Sequence, residues 1–306
     1  MRAARAWMLL LALMLLAACG GKSTRPTRAA GAAARYPPGR VDAASSPRAD
    51  SFRDDLSRSQ DSRYRDGNDS VPGDVPDLSK LVEPVPRVEP RSLYGNKSPY
   101  TVLGHSYRVL PSARGYDERG IASFYGNKFH GYKTSSLETY DMYAFSAAST
   151  TLPLPSYARV TNLENGKSVI VRINDRGPFH QNRLIDLSYA AAVKIGIWPK
   201  GTGLVEVRGI DPANPTQELP PPTVVTTGHP GIYLQVGAFS DRDNAERLAQ
   251  RLRLANLGVV RVMEAEVNGR RVRRVRVGPL ANVDRADQVS ARIEDMGLPR
   301  PQVAVD

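Results

Sequence analysis

The chain has 306 residues, and its 42 lysines and arginines against 31 aspartates and glutamates give a formal net charge of +11. A hydrophobic content of 41% with 24 prolines excludes a multi-pass membrane protein and a fully disordered chain, and indicates folded modules joined by proline-rich segments. The positive charge favours an anionic partner: nucleic acid, phospholipid or an acidic cell-wall polymer. The single cysteine excludes an intrachain disulfide and zinc sites built from several cysteines.

The first 18 residues have the architecture of a secretory signal peptide. Arg2 and Arg5 precede an apolar run, residues 7–18, that is too short for a spanning helix of about 20 residues. The end of this run and the two residues after it, Leu16-Ala17-Ala18-Cys19-Gly20, resemble a bacterial lipobox. This resemblance implies that Cys19 is acylated and becomes the first mature residue. The alternative is an ordinary cleaved signal with a chance cysteine. The two glycines after the cysteine resemble the outer-membrane sorting signal of Gram-negative bacteria. A periplasm-facing anchor would remove access to chromosomal DNA, so nucleic acid is not an expected partner.

Residues 19–93 predict a disordered tether that leads from the membrane towards the cell wall. They are rich in Arg, Asp, Ser, Ala and Pro, and they show no apolar periodicity. Five prolines between residues 72 and 90 favour extended, polyproline-like chain.

A small β-barrel is expected over residues 94–210, because short strands alternate there with one or two helices. Asn165-Gly166 lies between two β-rich runs, 158–161 and 168–173, and predicts a hairpin. Residues 187–195 have helical composition, with Gly196 as the C-cap. The remaining predicted strands are 100–102, 107–110, 121–125 and 204–207.

A proline-rich linker, residues 211–229, separates this region from a second predicted domain, residues 230–306. Its predicted order is β-α-β-β-α-β, the ferredoxin-like split unit. The strands are 232–239, 259–265, 272–277 and 302–305, and the helices are 241–254 and 282–296. Because alternate strand residues point to opposite faces, one face is expected to present the following side chains away from the helices: Tyr233, Gln235, Gly237, Arg274 and Arg276.

Motifs in both domains carry a family resemblance. The middle domain contains Gly-Ile-Ala-Ser-Phe-Tyr-Gly at 120–126, Phe-His-Gly at 129–131, Val-Arg-Ile-Asn-Asp-Arg-Gly-Pro-Phe at 171–179 and Arg-Leu-Ile-Asp-Leu-Ser at 183–188. It closely resembles the rare lipoprotein A (RlpA) family, whose domain is a double-psi β-barrel. Tyr-Leu-Gln-Val-Gly-Ala-Phe at 233–239 and Arg-Val-Arg-Val-Gly-Pro at 274–279 resemble a SPOR domain.

The resemblance implies a lytic transglycosylase that works on peptidoglycan at the division septum. Such enzymes cleave the bond between N-acetylmuramic acid and N-acetylglucosamine and leave a 1,6-anhydro end. SPOR domains bind glycan strands that have lost their stem peptides. The implied partners are these strands, the membrane through the lipid on Cys19, and division proteins. No cofactor and no metal are expected, since no Walker loop, HExxH motif or nucleophile elbow occurs in the chain.

Glycosidic cleavage needs a carboxylic acid at the bridging oxygen, and three carboxyl groups are candidates. The family match makes Glu138 the first choice for general acid and Asp175 its partner, with Asp141 as a third candidate. Asp175 next to Arg176 is expected to have a depressed pKa, which suits stabilisation of an oxocarbenium ion. The alternatives are a structural turn aspartate at 175 and an exposed acidic pair at 138 and 141.

Two departures from the family pattern concern this site. Relatives typically read Asn-Gly before the glutamate, where this chain has Ser136-Leu137, and Leu lacks the easy access to positive φ that Gly has. The family's Ala-Ala-His is Ala-Ala-Ser here, and Ser149 cannot carry a proton near neutral pH. This second departure keeps open a non-catalytic, glycan-binding septal protein. A bare wall-spanning tether is the third alternative.

The expected glycan contacts fall in two groups. Sugar rings stack on aromatic faces, and their hydroxyls need amide or guanidinium partners. In the barrel the expected contacts are Tyr125, His130, Ser149 and Arg176. In the SPOR-like domain they are Tyr233, Gln235, Arg274 and Arg276. A loop histidine at 130 and a solvated arginine face are the alternatives.

Overall fold

The computed structural model describes residues 54–58, 60–73, 75–180, 182–214, 231–267 and 269–305. The predicted signal peptide, Cys19, the first part of the predicted tether and nearly all of the 211–229 linker lie outside these residues. Within the described ranges, the helices are too short or too polar to cross a membrane.

The described residues between 54 and 93 lie against the barrel. They contain one turn of helix, α1 (Gln60–Arg63), and a 3-10 turn, Leu78–Lys80. Leu78 and Leu81 pack against the barrel core, and Glu83 accepts the backbone N–H of Ile170 at 3.1 Å. The sequence suggested a solvated tether here. The structure differs because acidic side chains of this segment accept backbone N–H groups of the barrel, which only the folded chain brings close.

Strands β1 (Tyr100–Val102) and β2 (His105–Tyr107) form an antiparallel hairpin before the barrel, with the second strand ending where the sequence predicted it to begin. Six strands then close a barrel in the order β3-β7-β4-β6-β5-β8. These strands are β3 (Asp117–Tyr125), β4 (Ser146–Ala148), β5 (Ser156–Asn162), β6 (Ser168–Asp175), β7 (Arg183–Ser188) and β8 (Gly203–Ile210). The pairs β3–β7 and β4–β6 are parallel, whereas the other pairs are antiparallel. The predicted β-barrel is thereby confirmed.

The barrel core follows the alternation of β5 and β6. Val160, Val171 and Ile173 are fully buried and lie inside, as period-2 strands require. The hairpin predicted at Asn165-Gly166 is confirmed by the antiparallel pairing of β5 with β6.

Helix α2 (Tyr189–Ile195) packs against β3, β6 and β7 and belongs to the barrel core. Gly196 is its C-cap in the left-handed conformation, with φ 74°, as predicted. The prediction that this helix begins at Leu187 was wrong, because β7 continues through Ser188 in register with β3. Ser188 is the N-cap and accepts the N–H of Ala191.

Strands β4 and β7 were not predicted. Ala147 and Ala148 are buried, and β4 is three residues long, too short to display an apolar alternation. Nevertheless β4 lies between β6 and β7, where it places Ala148 beside both Asp175 and Asp186. The two strands that sequence patterning missed are therefore the ones that gather the buried carboxyl groups.

The C-terminal domain has the predicted β-α-β-β-α-β order. Its elements are β9 (Ile232–Phe239), α3 (Arg242–Leu254), β10 (Val260–Val267), β11 (Arg270–Leu280), α4 (Val283–Asp295) and β12 (Gln302–Val305). The sheet order β10-β11-β9-β12 is antiparallel throughout and confirms the ferredoxin-like unit. Its core includes Leu234, Leu252, Val275 and Ile293, from strands and helices alike.

Candidate active site

Asp175 ends β6 and lies beside β4 in the barrel wall. Its Oδ1 accepts the N–H of Ser135 at 2.8 Å, the hydroxyl of Ser135 at 2.7 Å and the N–H of Arg176 at 2.8 Å. Among the described residues all three of its bonds end on Oδ1, which leaves Oδ2 as the oxygen for a proton. Burial raises the pKa of Asp175, and the three hydrogen bonds oppose that rise only in part. The expected depressed pKa was therefore wrong.

The Arg176 guanidinium points away from Asp175, which explains that error. Its Nε donates to the carbonyl of Gly95 at 2.6 Å, and Nη1 donates to the carbonyls of Ser149 at 2.9 Å and Leu152 at 2.6 Å. Nη2 donates to Asn96 at 3.2 Å. Neighbours in sequence thus diverge in space, and the Arg176 side chain joins neighbouring loops instead of pairing with the Asp175 carboxylate.

Glu138 lies in the loop between β3 and β4, residues 126–145, which we call the β3–β4 loop. Its Oε1 accepts Arg172 Nη2 at 2.9 Å, and its Oε2 accepts Arg172 Nε at 3.3 Å and Asn174 Nδ2 at 3.0 Å. The Glu138 side chain remains 37% exposed. Both oxygens thus act as acceptors of donor-only groups, an arrangement that suits a carboxylate facing positive charge better than a proton donor.

The turn before Glu138 keeps the backbone form that a glycine would adopt. Leu137 has φ 65°, in the left-handed region. Its N–H donates to the carbonyl of Thr134 at 2.9 Å, and the N–H of Thr134 donates to the carbonyl of Glu138 at 2.8 Å. The Ser-Leu departure therefore leaves the turn in place but strains it.

Asp141 and His130 form a second pair in the same loop. His130 Nδ1 accepts the N–H of Met142 at 3.2 Å and lies 3.7 Å from Asp141 Oδ1. Burial lowers the pKa of His130, and Asp141 opposes this only in part. A neutral imidazole with its proton on Nε2 fits this geometry. His130 is largely buried, whereas Asp141 is half-exposed.

Ser149 occupies the position of the family histidine and is buried. Its N–H donates to the carbonyl of Asp175 at 3.0 Å, so the position lies directly beside the candidate acid. Its hydroxyl oxygen accepts the N–H groups of Thr151 at 3.3 Å and Leu152 at 3.1 Å. In this chain the side chain therefore closes a turn.

A further carboxyl group that sequence reasoning missed lies in the same wall. Asp186 of β7 is opposite Ala148, and the hydroxyl of Ser123 donates to its Oδ1. Burial raises the pKa of Asp186, and the negative charge of Asp175 adds to the rise. The available signal was a lone acid in an otherwise apolar strand, Leu184–Leu187.

Tyr125 is buried instead of facing solvent. Its ring stacks on Tyr140 with centroids 4.1 Å apart, and it belongs to a buried cluster with Met142 and Tyr189. Burial raises the pKa of Tyr125 well above its usual value, with Asp175 and Asp186 adding to the effect. Direct contact of Tyr125 with a sugar would need this cluster to open.

The wall thus offers two partly buried carboxyl groups with raised pKa values, Asp175 and Asp186, beside the carboxylate of Glu138 held by Arg172. Such a set can donate a proton at one point and stabilise positive charge at another. Within the described ranges no cluster of three or more His, Cys, Asp or Glu side chains suits a metal ion.

On the C-terminal sheet, Gln235 lies opposite Arg276 of β11 and Gln302 of β12. Gln235, Arg274, Arg276 and Gln302 share one surface pocket, so three of the four expected contacts come together. Arg276 is largely buried, and Tyr233 lies opposite Ala304.

Gly237 does not share this surface, contrary to expectation. The register shifts between Val275 and Arg276, and a Cβ on Gly237 would lie 3.1 Å from Leu248 of α3, on the helical side.

Comparison with known proteins identifies both domains. Residues 117–208 match the family described as lytic transglycolase, and residues 228–303 match the SPOR domain. The endolytic peptidoglycan transglycosylase RlpA of Pseudomonas aeruginosa is 39% identical over 289 residues, covering 77% of this chain and 84% of the relative. This chain belongs to the RlpA family. The RlpA of Vibrio cholerae is also 39% identical, over 77% of this chain and 86% of its own length.

The crystal structure of the RlpA SPOR domain from Pseudomonas aeruginosa is 32% identical and covers 24% of this chain and 97% of its own, with a TM-score of 0.24. The two family models and the RlpA relatives confirm the resemblances to RlpA and to SPOR domains drawn from the motifs, and with them the predicted double-psi barrel class.

Proposed function

We propose that this RlpA-family chain is a lytic transglycosylase. It cleaves the bond between N-acetylmuramic acid and N-acetylglucosamine in peptide-stripped glycan strands and leaves 1,6-anhydro ends. The observation that carries the proposal is that two different carboxyl groups meet the same loop at the end of β6: Asp175, whose pKa burial raises and whose Oδ1 binds Ser135, and Glu138, whose carboxylate Arg172 and Asn174 hold. The names of the RlpA relatives support the same reaction.

The geometry supports roles that reverse those assigned from the sequence. Protonated Asp175 donates its proton to the bridging oxygen as the bond from that oxygen to muramyl C1 breaks. Glu138, with both oxygens accepting hydrogen bonds, faces the positive charge that develops on the sugar ring. The muramyl 6-hydroxyl then closes on C1 and returns its proton to the Asp175 carboxylate, so no water is consumed.

Asp186 is the second candidate for the proton donor, because burial also raises its pKa. Its carboxyl group already accepts a hydrogen bond from Ser123 in the barrel wall. Asp175 takes priority because it ends its strand at the β3–β4 loop, where Ser135 and Glu138 lie. Asp141 and His130 form another polar pair in the same loop, with His130 Nδ1 at 3.7 Å from Asp141 Oδ1.

A non-catalytic glycan-binding protein is the alternative function, and Ser149 favours it. A hydroxyl that closes a turn provides no second proton carrier beside Asp175. In either case the SPOR domain would hold the strand through Gln235, Arg274 and Arg276, with Tyr233 next to them. Tethered binding of this kind raises the local concentration of strand at the barrel.

We also propose that acylated Cys19 anchors the protein in the outer membrane, facing the periplasm, with enrichment at the septum through the SPOR domain. The lipobox-like sequence before Cys19 supports the anchor. We expect Cys19→Ala to release the protein from the membrane fraction, and a variant that stays there would contradict the anchor. Deletion of residues 230–306 is expected to disperse it from the septum.

The reaction is tested by mass spectrometry of peptide-stripped strands incubated with residues 20–306. We expect anhydro-ended fragments from the wild type, and none from Asp175→Asn or Glu138→Gln. Intact strands with binding retained in a pull-down would instead establish the non-catalytic alternative. Fragments from Asp175→Asn but none from an Asp186→Asn variant would transfer the acid role to Asp186.

A further inference from the structure

Asp54 and Arg63 form an ion pair that precedes both matched domains in the chain. Arg63 donates from Nε to Asp54 Oδ1 at 2.8 Å and from Nη2 to Asp54 Oδ2. Only 3% of the Asp54 side chain and 11% of the Arg63 side chain are exposed. Buried charges usually make further hydrogen bonds. The additional hydrogen-bond partners of Asp54 and Arg63 therefore identify the part of the chain that this ion pair positions.

Those partners are the two backbone groups of one residue, Lys133. The N–H of Lys133 donates to Asp54 Oδ2 at 2.7 Å, and its carbonyl accepts Arg63 Nη2 at 2.8 Å. Anion and cation thus bind the donor and the acceptor of the same residue, much as a neighbouring strand would. Movement of Lys133 would remove one hydrogen bond from each charge of this largely buried pair, so the pair favours the observed backbone position.

The same segment secures the start of the β3–β4 loop. Asp69 accepts the N–H of Gly126 at 2.8 Å and that of Lys128 at 3.0 Å. The ring of Tyr64 packs edge-on against Phe129 and Tyr132, with centroids 4.9 and 5.0 Å away. A Cβ on Gly126 would lie 2.3 Å from the carbonyl of Ser70, so the two backbones approach as closely as glycine allows.

Lys133 leads directly into the turn that carries the proposed chemistry. Two residues later Ser135 donates twice to Asp175, and five residues later Glu138 meets Arg172. A displacement of the Lys133 backbone would therefore also displace Glu138 and the Ser135 groups that bind Asp175.

We infer that Asp54 and Arg63 are positioning residues for the reaction, supplied by a segment outside the two family domains. They fix the backbone at Lys133 and so set the distance between Asp175 and Glu138. The segment is then a working part of the active site as well as the route to the membrane anchor. This inference rests on the proposed transglycosylase function for its kinetic part and on geometry alone for its structural part.

The kinetic test compares Asp54→Leu and Arg63→Gln with Arg58→Gln in the chain of residues 20–306. Arg58 is an exposed arginine of the same segment and serves as the matched control. Misplaced catalytic groups cost on the order of 10- to 100-fold in rate, so we expect kcat to fall by that factor in the first two variants with KM unchanged. Wild-type kcat in Arg63→Gln, a change in KM alone, or an equal loss in Arg58→Gln would overturn the inference.

The dependence of kcat on pH distinguishes the positioning role of Arg63 from the effect of its positive charge on the pKa of Asp175. The groups that face Asp175 are Ser135, the N–H of Arg176, Arg63 from the N-terminal segment, Asp186 from β7 and Tyr125 from β3. The positive charge of Arg63 lowers the pKa of Asp175 against the effect of burial. We expect Arg63→Gln to move the alkaline limb of kcat to higher pH, and Arg63→Lys to leave the limb in place while kcat still falls. An unmoved limb in Arg63→Gln would contradict this placement.

Hydrogen exchange of the Lys133 amide tests the structural part without any substrate. Loss of one hydrogen bond corresponds to roughly tenfold faster exchange, which we expect at Lys133 in Asp54→Leu. The Asn162 amide, which donates to Lys167 in the β5–β6 hairpin, should keep its wild-type rate. Unchanged exchange at Lys133, or equal acceleration at Asn162, would overturn the positioning role. A wild type that cleaves nothing but shows this pattern would refute the proposed reaction while leaving the local contact established.

Discussion

Arg172 donates one hydrogen bond to each carboxylate oxygen of Glu138, from Nη2 to Oε1 at 2.9 Å and from Nε to Oε2 at 3.3 Å. Its remaining nitrogen, Nη1, donates to Glu89 and, at 2.8 Å, to the hydroxyl of Tyr157. One guanidinium on β6 therefore joins the β3–β4 loop to the N-terminal segment. Hydrogen bonding to this arginine and to Tyr157 outweighs burial and lowers the pKa of Glu89.

The planar fork of Arg172 is expected to be irreplaceable by lysine. A single ammonium cannot donate in parallel to both Glu138 oxygens while it also reaches Glu89. We expect Arg172→Lys to lower kcat by about tenfold or more, since one charge-assisted hydrogen bond contributes roughly 1.5–3 kcal/mol. Initial rates on peptide-stripped strands measure this. The exposed Arg108 provides the control, and a kcat in Arg172→Lys equal to that of Arg108→Lys would exclude the role.

Asp175 is expected to be required for glycan cleavage while its buried charge lowers the free energy of unfolding. Asparagine keeps an oxygen for the three donors on Oδ1 but removes the charge that burial disfavours. We therefore expect Asp175→Asn to abolish cleavage without lowering the free energy of unfolding at pH 7. A marked loss of stability in urea titrations would show that the carboxylate form is the one the fold prefers.

The raised pKa of Asp175 determines how its contribution to the free energy of unfolding changes with pH. Below its unfolded value, 3.8, both states are protonated, and the native state prefers the proton as pH rises further. Stability from this group is thus fully present at low pH and lost as pH rises through the native pKa. We expect the difference in unfolding free energy between Asp175→Asn and the wild type to grow with pH across that window. A difference that shrinks with pH would mean a lowered pKa.

Leu137 is expected to be a source of strain in the turn before Glu138. A non-glycine residue in the left-handed region costs roughly 1–2 kcal/mol, while glycine adds about 0.5–1 kcal/mol of unfolded-state entropy. With φ 65° at this site, we expect Leu137→Gly to keep or raise the unfolding free energy, and β-branched Leu137→Val to lower it. Thermal melts of both variants measure the effect. Equal melting temperatures would show that the turn changes its backbone form.

Ser149 is expected to serve the fold and not the reaction. Ser149→Ala leaves the N–H groups of Thr151 and Leu152 without their acceptor, which costs about 1–3 kcal/mol for a buried donor. We expect a lower melting temperature with kcat close to the wild type at temperatures where the variant is folded. A drop in kcat as large as that of Glu138→Gln would instead place the hydroxyl in the chemistry.

Short sequence motifs predicted the parts of the fold that are determined by residues close together in the sequence. The Asn165-Gly166 turn and the Gly196 cap need only the residues next to them, and the C-terminal domain alternates cleanly between strand and helix. The contacts of the N-terminal segment with the barrel could not be predicted, because the Lys133 N–H that donates to Asp54 lies 79 residues away in the sequence. Asp175 shows the same limit, since adjacency to Arg176 suggested a pair that the backbone directs apart.

In the proposed reaction, bond cleavage uses the sugar's own 6-hydroxyl and not water. The most direct measurement is mass spectrometry of peptide-stripped strands digested in ¹⁸O-labelled water by residues 20–306. We expect new muramyl ends that lack one water and carry no label, and their complete absence with Asp175→Asn. Labelled reducing ends would show a hydrolase, and uncut strands that remain bound would show a glycan-binding protein without the reaction.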